Sequence, residues 1–229
     1  MEEKKQEYKE FYVPGAIIIG ALIIAGSILH MNSVKPVGSN VVANNPATAS
    51  LVSIPVASTD HIRGNVSAKV TIVEFSDLEC PFCKDFHPRM KQALQEYGDK
   101  VRWVYKHFPI DSRHPKARKE AEATECVNEL GGNAKFWEYV DKIFEIAPSN
   151  NNLDLALLPK IAGDIGLDRA KFESCLNSGK YAAKVEAQYQ EGIKAGVQGT
   201  PATFVNGVEV QGGAVPYAQL KAAIDSQLK

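Results

Sequence analysis

The sequence predicts an α/β domain that runs strand–helix–strand, then a block of helices, then strand–strand–helix, behind one apolar N-terminal segment. Three observations predict it. Val70–Ser76 and Val101–Phe108 are β-branched apolar runs on either side of a helical stripe, so residues 70–108 read as a parallel βαβ unit. Helical periodicity runs from about 112 to 197, and several helices between two strand regions form an insertion rather than part of a sheet. Asn206-Gly207 separates Ala202–Val205 from Val208–Val210, the dipeptide of a type I′ hairpin.

The 229 residues allow one medium domain with appendages. With 26 Lys and Arg against 27 Asp and Glu, the formal charge is −1, which argues against a nucleic-acid partner or a polybasic membrane patch. Four cysteines are too few for a disulfide scaffold, and enough for one reactive pair and one structural pair.

Residues 1–10 read as a cytoplasmic tail and 11–31 as a transmembrane anchor. Phe11 to Met31 holds no Asp, Glu, Lys or Arg. At 1.5 Å per residue, about 20 such residues cross the roughly 30 Å hydrocarbon core. A cleaved signal peptide would have a shorter apolar region followed by a small-x-small site, and Leu29-His30-Met31-Asn32 offers none. Lys4, Lys5 and Lys9 precede the span while Lys35 alone follows closely, which orients the bulk of the chain outside the cytoplasm. Residues 32–59, rich in Val, Ala, Ser, Asn and Pro, read as a flexible linker, with Leu51–Val56 a weak edge strand because of Pro55.

The catalytic domain is expected at 60–229. After the strand Val70–Ser76, a helix from about Phe82 carries Phe86, Met90, Ala93, Leu94 and Tyr97 on one face and stops at Gly98. Ala117–Leu130 is helical up to Gly131-Gly132, and Phe136, Trp137, Val140, Ile143 and Phe144 form the next stripe. Further helices fit Leu153–Ile165, Arg169–Leu176 and Tyr181–Ala195. A last helix places Tyr217, Leu220, Ile224 and Leu228 on one face.

The chemistry concentrates at Cys80-Pro81-Phe82-Cys83, where a strand meets the first turn of a helix. Two thiols at this spacing can close a small disulfide, and the unpaired amides of a helix start stabilise a thiolate, so the pattern points to thiol–disulfide exchange. Half of a zinc site is the competing reading, although Cys126 and Cys175 do not form a second close pair. Cys80 is expected to be the nucleophile, with its sulfur towards solvent, and the more buried Cys83 to resolve. Neither Pro81 nor Phe82 brings a charge or a side-chain donor, so stabilisation of Cys80 is expected from backbone amides alone. Lys106, His107 and His114 read as ordinary surface or packing residues.

Taken together, Glu74-Phe75-Ser76 through Cys83, Lys135-Phe136-Trp137, and Gly199-Thr200-Pro201 with Phe204–Gly207 make residues 60–229 resemble the thioredoxin fold, and within it the DsbA-like disulfide oxidoreductases. The resemblance implies that Glu74 is a buried acid beneath the cysteines that relays the proton of the buried thiol. It implies that Thr200-Pro201 is a cis-proline loop which, with Pro81 and Phe82, meets an extended substrate. It also implies a structural disulfide between Cys126 and Cys175, and no metal or cofactor beyond the Cys80–Cys83 disulfide.

The leading expectation is a membrane-tethered, extracytoplasmic bacterial enzyme, with a monomeric catalytic domain, that oxidises cysteines of exported proteins and is reoxidised by a membrane quinone-linked partner. A reductase or isomerase would use the same residues. A non-enzymatic, copper chaperone-like metal-binding module is the alternative of another class, with no local His or Met cluster to support it.

Overall fold

The computed structural model describes residues 51–229. The expectations for residues 1–50, the anchor at 11–31 among them, lie outside these. No helix of the described residues is long and apolar enough to cross a membrane.

Five strands form one sheet: β1 (His61–Gly64), β2 (Val70–Ser76), β3 (Val101–His107), β4 (Ala202–Val205) and β5 (Val208–Val210), in the order β1-β3-β2-β4-β5. β2 and β3 are parallel, joined through α1 (Pro81–Tyr97), and the other pairs are antiparallel. The insertion supplies α2 (Ala117–Ile146), α3 (Leu157–Asp164), α4 (Arg169–Ser178) and α5 (Ala182–Lys194), and α6 (Tyr217–Leu228) closes the chain. This is the thioredoxin fold with a helical insertion.

Alternation along β2 sends its side chains to two covered faces. Val70 and Ile72 join Phe86 and Met90 of α1 and Phe136, Trp137 and Val140 of α2 in one core. Val73 and Phe75 join Val104, Phe108 and Phe204 in a second, packed by Tyr189 of α5. Glu74 falls on the Val70–Ile72 side, so an acid in this strand has no solvent-facing alternative. α2 is broken at Gly132 (φ 76°, ψ −178°), where the sequence predicts a stop. The hairpin turn has positive φ at both central residues, Asn206 (48°) and Gly207 (80°), as a type I′ turn requires.

The structure departs from expectation at two places. β1 was not expected: four mixed residues pair antiparallel to β3, from His61↔Tyr105 to Gly64↔Arg102. Residues 51–59 were expected as linker, yet Val52, Ile54 and Val56 pack on the second core and Val52 donates its N–H to the Gly207 carbonyl at 2.8 Å. Apolar side chains at every second position give that segment a face to bury.

Lys106 and His107, expected as surface or packing residues, are packing residues: both are buried, Lys106 is ion-paired and His107 meets Glu125. Lys106 reaches Asp60 (2.9 Å) and Glu191 (2.7 Å). His61 and His107 lie 2.9 and 3.0 Å from one oxygen of Glu125, whose other oxygen takes Lys184 at 2.7 Å. Burial opposes the charge on Glu125, but the bonds from His107 and His61 outweigh it and hold the carboxyl well below its usual range.

Candidate active site

Cys80 is the N-cap of α1 (φ −77°, ψ 120°), with Pro81 at the first helical position where its missing N–H costs nothing. Its sulfur was expected to face solvent. Instead the residue is only 4 % exposed, covered from the facing loop by Thr200, whose carbonyl oxygen lies 3.4 Å from Sγ. Thr200–Pro201 is a cis peptide bond, and Pro201 is buried. Phe82 stands 62 % exposed beside the thiol. Cys80, Phe82 and Thr200 line a cleft of about 330 Å³ together with Ile110, Arg113 and Asn150.

The two thiols are electrostatically unequal. The hydrogen bond from Cys83 pulls Cys80 down to about 6, against the opposing effect of burial and with help from Thr200 and the amides of Cys83 and Phe82. Backbone amides were expected to act alone; the Cys83 thiol and Thr200 act with them because both converge on one sulfur. The Thr200 hydroxyl has no other partner and is free to donate to a thiolate. Cys83 is fully buried, and burial, then the bond and charge of Cys80, raise it well above the ordinary thiol value.

Beneath Cys83 lies a layer of polar groups inside the apolar core. Glu74 is in register with Tyr105 on β3 and Thr203 on β4, and these three, with Ser76 and Trp103, carry buried polar atoms that lack hydrogen-bond partners. Burial raises the Glu74 carboxyl to about 8; Ser76 and Trp103 pull the other way, although neither reaches it as a full hydrogen bond. Glu74 raises Cys83 in turn, so the acid and the buried thiol sense each other. A neutral carboxyl at this place can give up a proton when the Cys83 thiolate forms and take it back when that thiol attacks.

Cys126 on α2 and Cys175 on α4 are joined in a disulfide with Cα atoms 5.8 Å apart. They are therefore unavailable to complete a four-thiolate site with Cys80 and Cys83, which removes the zinc arrangement considered from the spacing. Among the described residues no group of three or more His, Cys, Asp or Glu is placed to hold a metal ion.

Sequence reasoning missed the acids flanking the site. Asp77 accepts from the backbone of Glu79 (2.8 Å) and Ile110 (2.8 Å) and from His114 Nδ1 (2.9 Å), and His114 is buried as a packing residue, one of the two roles expected of it. Glu79 and Glu120 are fully buried beside it. Their one sequence signal is two acids in the Ser-Asp-Leu-Glu run before Cys80, and an acid among the alanines of α2.

A family model described as thioredoxin matches residues 57–226. The fold is similar to oxidised BdbD from Bacillus subtilis, at a TM-score of 0.70 and 25 % identity over 78 % of this chain and 98 % of that one. It is similar to DsbA2 of Pseudomonas aeruginosa, at 0.63 and 28 % identity over 75 % and 96 %. A Na(+)/H(+) antiporter, NhaA 3 of Salinispora tropica, is 35 % identical over 169 residues, which are 73 % of this chain and 24 % of that protein. The chain spans about a quarter of the length of the curated relatives it matches.

Proposed function

We propose that this chain, a member of the thioredoxin family, is a protein thiol–disulfide oxidoreductase that works in the oxidising direction, passing the Cys80–Cys83 disulfide to cysteine pairs of exported proteins. The observation that carries this direction is the inequality of the two thiols. Lowering Cys80 from 9.0 to about 6 stabilises the reduced enzyme at pH 7 by about 1.4 kcal/mol, near 30 mV for two electrons. A stabilised reduced form makes the disulfide the stronger oxidant.

A substrate thiolate attacks Sγ of Cys80; the Cys80–Cys83 bond breaks and Cys83 leaves as a thiolate. Glu74 protonates it. The second substrate thiolate then attacks the first substrate sulfur, the one bonded to Cys80; a substrate disulfide forms, and Cys80 leaves as the low-pKa thiolate. Two electrons have passed from substrate to enzyme. Phe82 and Pro81 on one side and Thr200-Pro201 on the other supply apolar and backbone contacts for an extended substrate segment. Reoxidation removes two electrons and the one thiol proton, that of Cys83, and a membrane quinone-linked partner is the proposed electron acceptor.

The apolar run Phe11–Met31 and the lysines before it support a single-pass tether with the catalytic domain outside the cytoplasm, where disulfides persist. Equilibration of Cys80–Cys83 with glutathione tests the direction: a potential between about −120 and −180 mV is expected, and one near −270 mV overturns it. A Cys83→Ser variant, which strands substrates on Cys80, identifies the exported proteins.

A further inference from the structure

Glu79 immediately precedes Cys80 and is fully buried. It accepts three hydrogen bonds from one distant loop: its carbonyl from Asn150 N–H (2.8 Å), and its carboxylate from Asn151 N–H and Leu153 N–H (3.3 Å). That loop needs holding. Ser149, Asn150 and Asn151 are three consecutive non-glycine residues with φ of 65°, 54° and 64°, a region that L residues avoid. Lys116 fixes the carbonyls of Asn151 (2.7 Å) and Leu153 (2.8 Å), and the Asn151 side chain donates to the Arg113 carbonyl. So secured, Asn150 forms a wall of the cleft that holds Cys80 and Phe82.

Glu120 of α2 lies against the Glu79 carboxylate, and neither of its own oxygens meets a protein donor. Two ionised carboxylates have no proton between them, whereas Glu79 already uses both oxygens to accept. One proton on Glu120, donated to Glu79, satisfies the pair.

We propose that Glu79 is a positioning residue for disulfide exchange: braced by the Glu120 carboxyl, it pins the loop Ser149–Leu153 and thereby shapes the wall of the Cys80 cleft that receives the substrate chain. The proposal rests on the exchange reaction described above. Burial and the Glu79 and Asp77 charges raise Glu120 from 4.5 to about 9, and Lys116 lowers it. Of the other polar groups around the pair, His114 is hydrogen-bonded to Asp77, and the Tyr139 hydroxyl donates to the Leu158 carbonyl. The closed loop keeps a proton that an opened, solvated Glu120 releases. Its closed form therefore weakens as pH rises from about 4.5 to about 9, by at most about tenfold per pH unit.

The test measures reduction of the oxidised enzyme by an unstructured peptide with two cysteines and, separately, by dithiothreitol, which is too small to need the wall. Glu79→Gln is expected to raise the half-saturating peptide concentration by roughly tenfold while changing the limiting rate by less than about threefold. Glu120→Gln, whose amide donates as the protonated acid does, is expected to keep the wild-type peptide affinity at pH 7 and to abolish its loss towards pH 9. Equal slowing with both reductants, unchanged peptide affinity in Glu79→Gln, or an alkaline loss that persists in Glu120→Gln overturns the proposal. Hydrogen exchange of the Asn150, Asn151 and Leu153 amides in the wild-type protein reads the same device without substitution: protection is expected to fall from pH 6 to 9 beyond the intrinsic change, and constant protection overturns it. A wild-type enzyme that exchanges with neither reductant refutes the exchange reaction, while the amide protection still decides the role of Glu79 in the loop.

Discussion

The sulfur of Cys80 stands 3.4 Å from the carbonyl oxygen of Thr200, and the hydroxyl of the same threonine is buried with no partner. One residue thus offers an acceptor to the thiol and a donor to the thiolate. Only the second favours ionisation.

Thr200→Val removes that donor and keeps the shape. The Cys80 pKa is expected to rise from about 6 by half to one unit, and the potential to become more reducing by roughly 15 to 30 mV. Thiolate ultraviolet absorbance against pH reads the first, and glutathione equilibration the second. An unmoved pKa shows that Cys83 and the backbone amides suffice.

Glu74 is protonated in the folded protein up to about pH 8, whereas an unfolded glutamate ionises near 4.5. The native state therefore binds the extra proton between those values, and stability falls as pH rises across that window. Glu74→Gln is expected to flatten the dependence and to stabilise the protein at pH 8 by a few kcal/mol, measured by urea unfolding. The same variant is expected to slow exchange at neutral pH by at least about tenfold, since the proton for Cys83 must then come from elsewhere.

The Cys126–Cys175 disulfide closes a loop of 49 positions between α2 and α4. By loop-closure entropy its removal in a Cys126→Ala, Cys175→Ala variant costs about 4 kcal/mol, within an observed range of roughly 2 to 5. Thermal unfolding checks the loss. The Cys80–Cys83 potential is expected to change little, because the second pair is absent from the groups that shift either active-site thiol.

Glu125 is the buried hub for His61, His107 and Lys184. Its carboxyl is held below the ordinary range, so its contribution is complete above about pH 4.5 and is lost as the pH falls below that value. Glu125→Ala leaves three donors without their acceptor and is expected to cost about 3 to 5 kcal/mol at pH 7, seen as a lowered urea midpoint. The difference from wild type is expected to shrink in acid.

Local sequence by itself determined the elements whose instructions lie within a few residues. The β2–α1 junction is legible because an apolar strand run ends at Cys80 and Pro81 can open a helix. The hairpin is legible because Asn206-Gly207 tolerates two positive φ angles. The helical insertion is legible because its apolar residues repeat at helical spacing. Only the tertiary structure decided what depends on a distant partner. β1 carries no strand pattern of its own and exists because the edge of β3 offers it a ladder. Glu74 looks like an acid in an alternating strand until both faces of the sheet are covered, when burial makes it an acid that holds its proton to about pH 8. Glu79 looks like a solvated charge beside Cys80, and it meets its hydrogen-bond donors 71 to 74 positions later. Periodicity reports the face a residue turns; the element that covers that face, and the charges it brings, come from folding.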